Sequence, residues 1–223
     1  MIIHSKPEGI LFDLDGILLD TESLNGEAWK RAASYFKRNL SKEELINLLG
    51  RPRLDCAKDV LNLIEEDITI EELLKVHIPY QRSLIKECKA IKNAEKIVRF
   101  LKKKNIPIAL VTSSSRKSVE YKISLHPWID LISLKILGDD PEVKRGKPSP
   151  FPYLLAAKKL KLNPSNCWAV EDSASGIKSA LDAKCKVWAY KPNDNYEKIN
   201  LNKNPIFFNK LESLLIQLNL IFN

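Results

Sequence analysis

Residues 9–22 read GILFDLDGILLDTE: an apolar run from Gly9 to Phe12, two aspartates one residue apart at Asp13 and Asp15, and then Gly16. The run reads as a short strand closed by a turn signal. Carboxylates that close repel, so a folded chain keeps both only if solvent, a cation or a chemical task holds them.

Working outward, the same rhythm of a β-rich run ending in polar residues recurs. IPIALVTSS (106–114) ends at Thr112, and LISLKIL (131–137) is followed by Gly138, Asp139 and Asp140. CWAVEDS (167–173) ends at Glu171 and Asp172, and CKVWAY (185–190) is a fifth run. Helical patterns near 94–104, 116–125, 150–161 and 174–184 lie between them. Strands alternating with helices predict an α/β fold, a doubly wound parallel sheet with helices on both faces.

Residues 21–88 break that rhythm, with helical patterns and no strand. SKEE (41–44) and TIEE (69–72) read as capping boxes that pair Ser41 with Glu44 and Thr69 with Glu72. The expectation is an all-helical cap over 21–88 inserted into a core of residues 1–20 and 89–223. Its hinges fall near Gly16–Thr21 and Lys86–Asn93.

Composition narrows the class. The 223 residues are 44% hydrophobic and 29% charged, enough to bury a core and unlike a disordered chain. Cys56, Cys88, Cys167 and Cys185 are scattered without a CxxC spacing, no basic segment with an apolar run precedes Gly9, and no apolar run nears the roughly 18 residues that cross a bilayer. A reduced, cytoplasmic protein without a membrane partner is expected, its cysteines serving as small core hydrophobes. The formal charge of +8 is spread over many helical patterns, and the densest cluster, LKKKN (101–105), sits at a helix end where cations favour the dipole. A solvated helix end is therefore preferred to a nucleic-acid patch.

Open parallel sheets bind ligands beyond the carboxyl ends of their strands. Asp13 with Asp15, Thr112, and Glu171 with Asp172 fall at three such ends, so one cleft can collect them, and Lys147 in RGKPSP (145–150) can join from a loop. Ligation by oxygen alone points to Mg²⁺ over zinc. A calcium loop starting at Asp13 would need a bidentate Glu twelve residues in, where Leu24 stands. Plainer readings exist for each piece taken alone: Asp15-Gly16 as a turn, Glu171-Asp172-Ser173 as a helix cap, Thr112 as a helix start, Lys147 as a surface lysine.

Taken in order, DLDGILLDTE, ALVTSS, GDDPEVKRGKPSP and AVEDSASGIKSA resemble the four motifs of the haloacid dehalogenase superfamily, over residues 9–190. The likeness is to the branch with a helical cap after the first strand, which includes β-phosphoglucomutase and many sugar-phosphate and nucleotide phosphatases. LGDDPEVKRGKP is especially similar to the pseudouridine 5′-phosphatase type. This resemblance implies a Rossmann-like core and a Mg²⁺-dependent phosphatase acting on a small phosphate monoester. Asp13 would be the nucleophile that becomes an aspartyl phosphate, and Asp15 the general acid and base. Mg²⁺ would be held by the Asp13 carboxylate, the Asp15 carbonyl and Asp172, with Glu171 ligating or steering a water. Thr112 and Lys147 would bind and neutralise the phosphoryl group, with Ser113 beside them on the substrate.

Within the cap, Gly50 and Arg53 fall where β-phosphoglucomutase has a glycine and a phosphate-gripping arginine, and Thr21 and Trp29 also match its positions. Thr21, Gly50 and Arg53 are the substrate contacts this implies, whereas Trp29 reads as core. Asn25 stands where the mutase has a histidine, which favours a sugar-phosphate or nucleoside-monophosphate phosphatase over a phosphosugar mutase. Phe151 replaces the aspartate usual after KPxP without touching the expected chemistry. Dehalogenases lack the second aspartate and the metal, so Asp15 favours phosphoryl transfer. A non-catalytic module would be expected to have lost Asp13 or Asp172. The resemblance also implies a monomer.

Overall fold

The computed structural model of the chain describes residues 5–48, 51, 53–191 and 205–222. Its elements run β1 (Gly9–Phe12), α1 (Glu22–Tyr35), α2 (Lys42–Leu48), α3 (Arg53–Leu63), α4 (Ile70–Leu84), α5 (Ala94–Lys103), β2 (Ile108–Val111) and α6 (Arg116–Leu125). There follow β3 (Leu134–Ile136), α7 (Phe151–Leu160), β4 (Cys167–Glu171), α8 (Ala174–Asp182), β5 (Lys186–Tyr190), β6 (Ile206–Phe208) and α9 (Leu211–Phe222). The chain divides into two compact units, residues 1–19 with 90–223, and residues 20–89.

The first unit is a six-stranded sheet in the order β3-β2-β1-β4-β5-β6, every pair parallel. Parallel strands need both faces covered, and the side-chain alternation accounts for both. Leu11, Ala109, Val111, Ala169 and Val187 share a core with Tyr153, Ala156 and Ala157 of α7 and Ile177 and Ala180 of α8. On the other face Ile10, Phe12, Leu110, Trp168, Val170 and Trp188 are buried as well. The strand order reverses beside β1, since the chain steps outward to β2 and β3 and then returns to place β4 on the opposite side. That switch point opens a crevice past the carboxyl ends of β1 and β4.

Two readings of the sequence are corrected here. LISLKIL is a strand only over Leu134–Ile136; Leu131 closes a 3₁₀ turn, Pro127–Leu131, that buries Trp128 and Ile129, and Ile132 follows that turn. Beyond residue 190 the sheet gains β6 and the unit gains α9, neither of which the sequence reading contained.

Among its described residues the second unit is helical, α1 to α4 around Trp29, Ala32, Ala33, Cys56, Ala57, Val60 and Leu73. Both capping boxes are present. The Glu44 carboxylate accepts from Ser41 N (2.7 Å) while Ser41 Oγ accepts from Glu44 N (3.2 Å), and Thr69 and Glu72 repeat the exchange. Each removes an orphan N–H from a helix start and contributes on the order of 1 kcal/mol. All four cysteines are buried, and none is in a disulfide. No described helix is long and apolar enough to cross a membrane.

Candidate active site

Asp13 follows β1 directly, and its N–H donates to Val170 O at 3.0 Å, which keeps it in register with β4 at the switch point. The turn after it needs Gly16: φ is +81°, and a Cβ there would lie 1.8 Å from Asp172 Oδ2. Glycine thus both permits the left-handed backbone and lets the Asp172 carboxylate come up against the β1 loop. At the end of β4, Ser173 Oγ accepts from Gly176 N at 3.1 Å and caps α8. Of the three residues Glu171, Asp172 and Ser173, it is Ser173 that caps the helix.

Lys147 joins the two strand ends. Its ammonium, on a side chain 4% exposed, donates to Asp13 Oδ1 (2.6 Å), Glu171 Oε1 (2.5 Å) and Val111 O (2.8 Å). Burial alone would lower the lysine pKa, but the Asp13 and Glu171 carboxylates more than offset that and hold it above its ordinary value. Burial pushes the Asp13 carboxyl up to about 7, Lys147 opposing and Glu171 and Asp15 adding to the rise.

Glu171 is fully buried and its oxygens are taken by protein donors. Oε1 accepts from Lys147 and from Tyr153 OH (2.6 Å), and Oε2 from Asp172 N, Ser173 N and Ser173 Oγ at 3.2 to 3.4 Å. Burial, then the Glu171 charge, holds the Tyr153 pKa well above its ordinary value, so its hydroxyl stays a donor. Thr112 is buried at the end of β2; its N–H donates to Ile136 O (3.0 Å), and its Oγ1 accepts from Ser114 N (3.0 Å). Because Oγ1 accepts there, its hydrogen can be donated to a ligand.

Asp15 meets two residues the sequence reading had not assigned to it. Its Oδ1 accepts from Lys122 Nζ (2.5 Å) and its Oδ2 from Ser114 Oγ (2.7 Å). Tyr153 was likewise missed. The available signals were a lysine on the same helix face as the buried Val119, three residues earlier, and a tyrosine inside the apolar run of α7.

Asp13, Glu171 and Asp172 each offer a carboxylate oxygen within 4.8 Å of the others. An all-oxygen set of this size suits a hard cation such as Mg²⁺ better than zinc, whose sites usually include nitrogen or sulfur. The remaining expected residues are spread over both units. Ser113 is exposed beside Thr112, and Gly138 approaches its carbonyl so closely that a Cβ would lie 2.1 Å from the oxygen. Gly50 lies outside the described residues. Arg53 starts α3 and donates to Gln81 Oε1 (2.8 Å), and Gln81 Nε2 donates to Asn25 Oδ1 (2.5 Å). Thr21 is buried, its hydroxyl without a hydrogen-bond partner among the described residues. Trp29 is core, stacked on His77 with ring centroids 3.7 Å apart.

Residues 10–190 match the sequence family described as haloacid dehalogenase-like hydrolase. The bifunctional riboflavin kinase/FMN phosphatase of Arabidopsis thaliana is 32% identical over 181 residues, 81% of this chain and 47% of that protein, so the chain spans about half of it. A Saccharomyces cerevisiae protein named "Probable pseudouridine-5'-phosphatase" is 33% identical over 180 residues, 76% of each chain. Among solved structures, β-phosphoglucomutase from Clostridium difficile superposes with a TM-score of 0.68 at 25% identity, covering 96% of this chain and 97% of that one.

Proposed function

The chain belongs to the haloacid dehalogenase-like hydrolases and is a phosphoric monoester hydrolase, and on that premise we propose that it cleaves a sugar phosphate or nucleoside monophosphate through an aspartyl phosphate on Asp13. What supports the reading above all is the buried cluster in which Lys147 bridges Asp13 and Glu171 with Asp172 alongside. A nucleophile, a fixed cation and an oxygen donor set meet there at one switch point.

In the first step an Asp13 oxygen bonds to phosphorus as the ester P–O bond breaks, and Asp15 gives its proton to the departing alcohol oxygen. In the second, Asp15 takes a proton from water, the water oxygen bonds to phosphorus, and the Asp13–phosphorus bond breaks. Thr112 donates its hydroxyl to a phosphoryl oxygen, and Lys147 neutralises charge on Asp13 and the phosphate. Asp13, Asp172 and the Asp15 backbone carbonyl would hold Mg²⁺, with Glu171 behind them anchoring Lys147. When bound, the ion would supply charge neutralisation between the carboxylate and the phosphate. Residues 20–89 select the substrate, with Arg53 gripping a second polar group on it.

A mutase of the β-phosphoglucomutase type is the second reading, carried by the structural likeness. Against it stands Asn25, an amide that accepts from Gln81 and has no proton to exchange near neutral pH. A Mg²⁺-dependent assay over sugar phosphates, nucleoside monophosphates and β-glucose 1-phosphate separates the two. Free phosphate is the expected product; glucose 6-phosphate without free phosphate would establish the mutase.

A further inference from the structure

Among the described residues the proposed mechanism leaves one buried cation without a task. Lys122 lies in the last turn of α6, three residues after the buried Val119, and its side chain is 6% exposed. A buried ammonium is costly unless it is paired. Its Nζ donates to Asp15 Oδ1 at 2.5 Å and to Ser114 Oγ at 3.1 Å, and Ser114 Oγ in turn donates to Asp15 Oδ2 at 2.7 Å. Both oxygens of the Asp15 carboxylate are therefore gripped from one side by a closed ring of three side chains. The ring is also tied to the phosphate-binding strand end, because Ser114 N donates to Thr112 Oγ1 at 3.0 Å.

We propose that Lys122, with Ser114, is a positioning residue for Asp15: the pair fixes the carboxylate of the acid in one frame with Thr112, so that its proton is delivered where the leaving oxygen sits. This rests on the proton-transfer role given to Asp15 above. A residue that acts through the acid matters only as far as the leaving group needs a proton. An alkoxide leaving from a sugar needs one, whereas p-nitrophenolate leaves without help. A lysine that merely joins α6 to the β1 loop would, on removal, slow both substrates alike.

The test compares Lys122→Met, Ser114→Ala and Asp15→Asn with the parent enzyme in saturating Mg²⁺, on ribose 5-phosphate and on the pre-steady-state burst of p-nitrophenyl phosphate. Lys122→Met places a side chain of similar length and no charge at the buried position. Ser114→Ala leaves the ion pair intact, so the inference stays testable if the first variant does not fold. The expected result for Lys122→Met is a kcat on ribose 5-phosphate lower by about 100-fold, KM within about threefold, and a p-nitrophenolate burst rate within about threefold. Ser114→Ala should show the same split with about a tenfold loss. If Asp15→Asn shows the split and both other variants do not, the positioning role is overturned while the mechanism stands. If Asp15→Asn itself slows both substrates alike, the acid role fails and the inference falls with it.

Discussion

Two regions of the molecule bury polar side chains in opposite ways. At the switch point of the sheet every buried charge is cross-braced: Lys147 between Asp13 and Glu171, and Lys122 between Asp15 and Ser114. In the helical unit the buried polar groups are neutral. His77 is 1% exposed with both ring nitrogens unpaired among the described residues, as is Thr21 Oγ1, and the half-buried amides of Gln81 and Asn25 bond each other between Glu22 and the exposed Arg53. The difference separates fixed chemistry from adjustable recognition. A charge braced on strand ends stays in place for every turnover, while a pair of neutral amides between two helices can re-form around different ligands at little cost.

The comparison can be broken most sharply at the braced end. Asp13→Asn should lower turnover by at least about 10⁴-fold in the Mg²⁺ assay while the circular dichroism spectrum is unchanged, because the amide cannot attack phosphorus. Lys147→Met should lower kcat by roughly 10²- to 10³-fold and also destabilise the fold by about 3 to 5 kcal/mol in urea titrations. It leaves Asp13 and Glu171 buried and facing each other without their cation.

At the neutral end the effects are smaller and of another kind. Burial, with Arg53 adding, lowers the His77 pKa from 6.5 to about 4. The folded chain therefore keeps His77 uncharged while the unfolded chain takes up a proton below about pH 6.5. Stability from this residue is fully present above that pH and is lost as pH falls toward 4, by up to about 3 kcal/mol. His77→Phe keeps the stack on Trp29 and should remove that part of the acid sensitivity, which parallel melts at pH 7 and pH 4.5 would reveal. Arg53→Ala is the mildest change: KM for a substrate carrying a second polar group should rise about tenfold, or roughly 1.4 kcal/mol, with kcat nearly unchanged. A matching loss on p-nitrophenyl phosphate would contradict a recognition role.

Legibility in the sequence followed the range of the interactions. β1, β2, β4 and β5 announce themselves because buried parallel strands are locally apolar, and the capping boxes because their partners are three residues apart. LISLKIL misled because Leu131 and Ile132 are as apolar as the strand, although Leu131 closes a 3₁₀ turn and Ile132 lies between that turn and β3. The acidic residues could be placed because strand ends of an α/β sheet converge. Lys122 and Tyr153 could not, since each is defined by a partner reached only in three dimensions: Asp15, 107 residues away, and Glu171, 18 residues away. The same holds for Gln81, whose link to Asn25 spans 56 residues between two helices.

The central claim is that phosphorus is bonded to Asp13 between the two steps. Acid-quenching the enzyme during turnover of p-nitrophenyl phosphate, reducing with borohydride and sequencing the peptides by mass spectrometry tests it directly. An acyl phosphate on Asp13 would be reduced to homoserine at that position, and homoserine at residue 13 alone is the predicted result. Turnover with residue 13 recovered only as aspartate, or homoserine at another carboxylate, would contradict the account.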